Sequence, residues 1–370
     1  MTRIVETRRP DCSLIVNTFE KPRHLALVLE SIAAQAHVDG RIEVIVADDG
    51  SRDETAAVVA EFSATARVPV RFTSEPHAGF RLARVRNRGA RLARGEYLLF
   101  LDGDCILPRD HVATYLTRRR PGLALLGYCA RLPEEASSGL SPETLAETDL
   151  DALVPASERR LLRRRHRKAW WHSTFRHPTK PRLAGGNCGI WRADFERVNG
   201  FDERFVGWGQ EDDDLGLRLR AAGVKLESIL DDTWSLHVWH PTDPTATKRW
   251  RDGPNVGYFL RRGRLTRCRH GIVERPIEAV RWGLPDAADD GPLARALAGM
   301  IPETARAAPT GPCEIEIVTR PGGSRFTRRA ECRLVIAEPG AVVEPSLRRR
   351  AHRVARVHPA DVEGLLAQAG

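Results

Sequence analysis

The chain lacks any apolar run close to the roughly 20 residues that a helix needs to cross a bilayer, so no spanning segment is expected in its 370 residues. Its opening stretch, MTRIVETRRPDCSLIV, has no apolar core ahead of a small-residue cleavage site, which argues against a secretory signal. The seven cysteines (Cys12, Cys105, Cys129, Cys188, Cys268, Cys313 and Cys332) are odd in number and form no Cys-x-x-Cys pair. That excludes a zinc module of the usual spacing and reads as reduced thiols rather than a disulfide framework. Internal repeats are missing as well. Together these absences predict a cytoplasmic protein. The length suits two domains, or one large α/β domain with an appendage.

Charge is present in excess and unevenly. The formal net charge is +9, and ERRLLRRRHRKAWWH (158–172) packs seven Lys/Arg between Arg159 and Lys168. A second run, LRRRAHRVARVH, lies near the C-terminus. Such runs attract phosphates, anionic lipid or nucleic acid, although a solvated helix face explains them equally well.

Up to about residue 130, short apolar runs alternate with helix-like segments. CSLIVNT, RIEVIVADDG, VRFTSE and EYLLFLDGD read as strands; HLALVLESIAAQ, DETAAVVAEF and ARVRNRGARLAR read as helices. This alternation predicts crossover units and a mostly parallel central sheet, whose ligands bind beyond the carboxyl ends of the strands. Four segments follow: 11–130, the first half of an α/β domain; 131–182, an Arg- and Pro-rich insertion with helices of its own; 183–245, its second half; and 246–370, a small C-terminal appendage of unknown role. In that appendage GLPDAADDGP reads as a linker, and CEIEIVTR with ECRLVIAE reads as a hairpin.

Two strand ends are acidic: Asp48-Asp49, and Asp102-Gly103-Asp104 after LLFL. Carboxylates one residue apart at a buried strand's end can hold a hard divalent cation that bridges to phosphates. His237 and His240 would add nitrogen ligands and favour Mn²⁺ over Mg²⁺; the plainer reading is a pair of exposed histidines. WGQEDDDLGLRLRAAG is the oddest stretch, with four consecutive acids after a tryptophan flanked by glycines. A helix N-terminus welcomes one or two acids, not an obvious four.

These motifs occur in a fixed order: CSLIVNTFEKPRHLALVLESIAAQ, VIVADDGSRDET, GFRLARVRNRGARLARGEYLLFLDGD, GGNCGIWRADFERVNGFDERFVGWGQEDDDLGLRLRAAG and HVWH. Over about residues 11–245 the chain resembles a glycosyltransferase family 2 enzyme of the GT-A fold, with a C-terminal galactosyltransferase-type module like those in bacterial chondroitin-type polymerases. The resemblance implies a Rossmann-like nucleotide-diphospho-sugar transferase and a metal-dependent, inverting transfer of a hexose or N-acetylhexosamine from a UDP-linked donor. The acceptor would be a hydroxyl on a carbohydrate, a lipid-linked sugar or a natural product. It implies nucleotide or sugar contacts at Thr18, Glu20, Asp48, Asp49, Arg86, Asn87, Asp102, Gly186 and Asn187, with Trp208 as a ring closing over the sugar. Asp104 and His240, with Asp102 and His237, would hold the metal. Asp212 would be the catalytic base and Glu211 its neighbour touching sugar hydroxyls, leaving Asp213 and Asp214 to the helix and to Arg218 or Arg220. The first-strand motif VNTFEKP departs from the commoner pattern, so contacts there are the least defined.

A dTDP- or GDP-linked donor fits the same fold. A different class of reading is a catalytically inactive scaffold that binds polyanions or an anionic membrane surface through its arginine runs; the intact Asp102, Asp104, Asp212 and His240 argue against it. No nucleic-acid partner is expected.

Overall fold

The computed structural model describes residues 9–241, 250–286, 291–308, 311–320, 322, 325–326 and 329–369. In the N-terminal part β1 (Cys12–Thr18), α1 (Pro22–Ala33), β2 (Ile42–Asp48), α2 (Thr55–Thr65), β3 (Val70–Ser74), α3 (Leu82–Leu92) and β4 (Tyr97–Asp102) alternate as the apolar pattern requires. Every residue of β2 is buried, and all of β1 but Asn17. Strands covered by helices on both faces show such runs instead of alternation. Pro22 opens α1, where its fixed φ suits a first helical turn and its missing N–H costs nothing.

The chain continues through β5 (Cys105–Ile106), α4 (His111–Arg118), β6 (Leu123–Leu126), β7 (Cys129–Arg131), α5 (Glu134–Ser138), α6 (Pro142–Leu145), α7 (Ala156–Thr174), β8 (Asn187–Trp191), α8 (Arg192–Arg197), α9 (Glu211–Ala221), β9 (Lys225–Ser228) and β10 (Ser235–His237). The central sheet has the order β3-β2-β1-β4-β8-β6-β9 and is parallel except for β8, which runs against both its neighbours. A second, small sheet has the order β5-β10-β7. It sets His237 opposite Cys105, and the Val238 N–H donates to the Asp104 carbonyl at 2.9 Å. The mixed α/β architecture with a large, mostly parallel sheet is the one expected.

The insertion does carry its own helices, α5 to α7. In the long α7 only Leu162 is buried, yet the helix is tied to β9. Ser173 Oγ donates to the Leu226 carbonyl at 2.6 Å, and His166 Nδ1 lies 3.2 Å from Ser228 Oγ. Among the described residues no helix is long and apolar enough to cross a membrane.

The chain divides into two compact units, Met1–Val256 and Gly257–Gly370. Two expectations for the tail are corrected. The strands β12 (Cys313–Val318) and β13 (Ala330–Ala337) are not a hairpin: they pair in parallel, inside a four-stranded sheet that also holds β11 (Trp282–Gly283) and β14 (Arg353–Arg356). The reason lies in burial. Ile315, Ile317, Leu334 and Ile336 enter one core, whereas Val318, Val335 and Ala337 enter another on the opposite face. Both faces being covered suits a parallel sheet. Nor does GLPDAADDGP separate two units. Trp282 just before it is fully buried in this unit's core, while residues 287–290 of the stretch lie outside the described residues.

Candidate active site

The carboxyl ends of β1, β2 and β4 bring Thr18, Asp48 and Asp102 to one edge of the central sheet. Past Asp102 the chain turns through Gly103, whose N–H donates to the Asn17 carbonyl at 2.8 Å. A Cβ at Gly103 would stand 2.8 Å from that carbonyl oxygen, and one at Gly186 would collide with the Asp102 carboxylate. Glycine at both positions lets the acidic turn and the strand before β8 approach closely.

The turn carries Asp104 to β10. His240 Nε2 is 3.1 Å from Asp104 Oδ2, and His237 Nε2 is 3.8 Å from Asp104 Oδ1. The three ligand atoms lie within 4.8 Å of one another, and Asp102, Asp104 and Cys105 form an adjoining group. His240 Nδ1 faces the Pro241 carbonyl at 2.7 Å, the partner that orients a metal-binding imidazole with its Nε2 turned inward. One carboxylate and two imidazoles, with a second carboxylate adjoining, make a donor set that fits a divalent transition-metal ion. A residue not anticipated from the sequence joins them. Lys21 Nζ sits 2.9 Å from Asp104 Oδ2 and 2.8 Å from His240 Nε2. Burial pushes the Asp104 carboxyl upward, but His240 and Lys21 outweigh it and hold the group well below the usual carboxylate range.

Arg86 of α3 links this group to the acidic helix. It is 2 % exposed and donates to Asn17 Oδ1 at 3.2 Å, to Asp102 Oδ1 at 3.0 Å and to Glu211 Oε1 at 3.2 Å. All four acids stand in the first turn of α9, after Gln210 at a φ of 73°, but their roles divide. Asp213 meets Arg182 at 3.1 Å, and Asp214 is wholly buried against Arg218 at 2.7 Å; Arg220 donates instead to the Pro181 carbonyl. Glu211 and Asp212 remain at the cavity. Burial, then the charge of Asp212, pushes Glu211 up to about 8. Burial also raises Asp212, whose oxygens accept from the N–H groups of Gly185 at 3.2 Å and Asp213 at 2.7 Å. One guanidinium faces three carboxylates here, and burial raises both Glu211 and Asp212, so the pair titrates as a unit above the usual carboxylate range.

The residues expected to contact a nucleotide separate. Thr18 Oγ1 is buried with no hydrogen-bond partner. The Glu20 N–H donates to Ser51 Oγ at 2.7 Å while its side chain is exposed. The carboxylate of Asp48 accepts from the N–H groups of Gly50 and Ser51, from the Ser51 hydroxyl and, on β3, from the Ser74 hydroxyl, contacts that shape the turn. Asp49 is the outward one. Burial raises it, while His77 at 3.2 Å opposes that shift, and His77 in turn stacks on Phe19 with centroids 4.3 Å apart. Phe19 lies in the first-strand segment expected to hold the nucleotide; His77 carried no sequence signal.

Two asparagines are engaged within the fold. Asn87 is fully buried and binds Phe201 N–H and carbonyl and Glu203, fixing the 201–203 loop. The Asn187 amide is occupied by Tyr115, His111, Tyr128 and Ser235. An amide whose donors and acceptor are all engaged has nothing left for a sugar.

Trp208 stands between Gly207 and Gly209, at φ of 84° and 94°, a backbone that other residues rarely adopt. Asn255, 5 % exposed, donates to both flanking carbonyls, Gly207 at 3.2 Å and Gly209 at 2.9 Å. No pattern in the sequence marks it. Trp208, Arg86, Asp102, Gly186, Glu211, Asp212 and His237 line one cavity of about 700 Å³.

Residues 13–118 match the family model described as Glycosyl transferase family 2, and residues 165–237 match the one described as N-terminal domain of galactosyltransferase. Residues 13–118 are thus similar to family 2 glycosyltransferases. Validoxylamine A glucosyltransferase of Streptomyces hygroscopicus subsp. limoneus is 30% identical over 250 residues, covering 62% of this chain and 52% of that protein. Chondroitin synthase of Escherichia coli is 26% identical, covering 64% and 36%. The uncharacterized glycosyltransferase YfnE of Bacillus subtilis (strain 168) is 28% identical, covering 67% and 69%. The chain thus spans about half the length of the validoxylamine relatives. Arg86, Asp102 and Asp104 fall in the first matched segment and Glu211, Asp212 and His237 in the second. His240 and Asn255 lie just outside both.

Proposed function

We propose that the chain transfers a hexose or N-acetylhexosamine from a UDP-linked donor to an acceptor hydroxyl, with inversion at the anomeric carbon. The observation that carries this reading is that Asp102 and His237, of the metal-ligand group, line the same cavity as Glu211 and Asp212. Thr18 and Asp49, beside the Phe19–His77 stack, hold the nucleoside. Asp104, His237, His240 and Asp102 hold a divalent cation, Mn²⁺ in preference to Mg²⁺ because two imidazoles enter the set. A cation bound there neutralises charge on the departing diphosphate. Asp212 takes the proton of the acceptor hydroxyl as its oxygen bonds to the anomeric carbon and the diphosphate leaves with the electrons of the broken bond. Glu211, protonated, donates to a sugar hydroxyl, and Arg86 keeps both acids in place. Trp208 closes over the sugar and keeps water from the donor.

The test is calorimetric titration of UDP, dTDP and GDP with and without Mn²⁺, on wild type and Asp104→Ala. Metal-dependent UDP binding that Asp104→Ala loses is expected. Preference for dTDP or GDP would replace the donor; binding of no nucleotide would favour the inactive, polyanion-binding scaffold.

One surface supports an additional partner. Trp170, Trp171 and Phe175 are 53%, 55% and 67% exposed beside the arginines of α7, a combination suited to peripheral contact with anionic lipid. Sedimentation with anionic vesicles, compared against Trp170→Ser/Trp171→Ser, tests it.

A further inference from the structure

The cavity is lined by bases as well as acids. Beside Glu211 and Asp212, its lining includes Arg165, Lys168 and His172 from α7, Lys180 and Arg182 from the loop that follows, and Arg131 from β7. Two of these cations are engaged: Arg182 pairs with Asp213 at 3.1 Å, and Arg165 lies over the Tyr128 ring at 3.9 Å. Among the described residues no carboxylate comes within ion-pair distance, 4.0 Å, of Lys168 or Lys180. Lys168, exposed, and Lys180, half-buried, both line the cavity. The wall is built in advance, since Ser173 and His166 pin α7 to β9. Its field is felt by His172, which burial and then the charges of His177, Lys180 and Lys168 hold below its ordinary pKa. Nor do these cations sit with the nucleoside contacts, because Thr18 and Asp49 are not part of the cavity wall.

We infer that the acceptor carries an anionic group, a carboxylate or a phosphate monoester, that sits against Lys168 and Lys180 while its reacting hydroxyl faces Asp212. This rests on the proposed transfer reaction and names the substrate class of the same site. The two lysines offset the repulsion that Asp212 and the neighbouring acids would exert on an anion, and they orient it: one end is drawn to the lysines and the other is left at the base.

The experiment uses the full chain with UDP and Mg²⁺ and reads ligand-observed NMR titrations of three probes: glucose, glucuronate and glucose 6-phosphate. The last two distinguish a carboxylate source from a phosphate source. Wild type is expected to bind one anionic probe about tenfold more tightly than glucose, the worth of one charge-assisted hydrogen bond. Lys168→Ser/Lys180→Ser is expected to lose that preference, and Lys168→Arg/Lys180→Arg to keep it, with UDP affinity unchanged in both. Equal binding of glucose and both anions, or a preference surviving in the serine variant, overturns the inference. So does a matching loss of UDP affinity in that variant, which would assign the lysines to the donor diphosphate. If wild type binds none of UDP, dTDP and GDP, the transfer reaction and this inference fall together; indifference to anions with nucleotide binding intact overturns the inference alone.

Discussion

Glu211 and Asp212 are adjacent in the chain and chemically unequal, and the inequality comes from what surrounds each. Asp212 accepts two backbone N–H groups, while Glu211 Oε2 is buried without a partner. Asp212→Asn is therefore expected to lower turnover by about 10²–10⁴-fold, the usual worth of a positioned base, with UDP affinity preserved; steady-state rates beside calorimetry check it. Glu211 also ties stability to pH. Its folded-state value of about 8 lies above the ordinary 4.5, so as pH rises the unfolded chain releases this proton first. The group's contribution is fully present below about pH 4.5 and is lost as pH approaches 8. Urea unfolding between those limits should show wild type losing stability relative to Glu211→Gln as pH rises. Lys21, through its contacts with Asp104 and His240, would compete with a cation at the proposed metal site. Lys21→Met should bind Mn²⁺ several-fold more tightly than wild type when metal alone is titrated; equal or weaker binding would refute that competition.

At the scale of elements, the site is assembled where secondary structures meet. The small β5-β10-β7 sheet sets Asp104 beside His237 by pairing residues far apart in sequence. Asn255 holds the Gly207–Gly209 turn by donating to the carbonyls at both of its ends. Asn255→Ala is expected to weaken nucleotide-sugar binding several-fold by loosening Trp208. Its unfolding midpoint should fall by only a few degrees, as the loss of about two ordinary hydrogen bonds implies for a unit of this size. Donor KM measured beside thermal melts would separate the two effects. The acidic run was legible as an anomaly because four adjacent carboxylates exceed what a helix N-terminus needs. The pairing of Asp214 with Arg218, one helical turn on, was legible too; that of Asp213 was not, since Arg182 reaches it from another segment.

For the whole molecule, two units with separate cores carry unequal functional content. Every residue proposed for donor, metal or base lies in Met1–Val256. Scanning calorimetry should therefore resolve a transition that UDP with Mn²⁺ moves upward, by the stabilisation that binding to the folded form confers, and a second that the ligands leave in place. If both transitions move together, the units are energetically coupled.

By itself the sequence determined the alternation of strands and helices, the parallel sheet and the acidic strand ends, because burial on both faces writes continuous apolar runs and chain turns write glycine next to acid. It also marked Asp102, Asp104, His237, His240, Glu211 and Asp212 as a chemically unusual set. Only the tertiary structure decided how such groups are used. Asp48, Asn87 and Asn187 have the same composition as ligand-binding residues, yet their hydrogen-bonding capacity is taken up by loops and strands that local sequence does not specify. Lys21, His77 and Asn255 acquire their positions from contacts across the fold. The parallel tail sheet reads as a hairpin in the sequence for the same reason: strand propensity is local, whereas strand direction depends on which faces the rest of the chain covers.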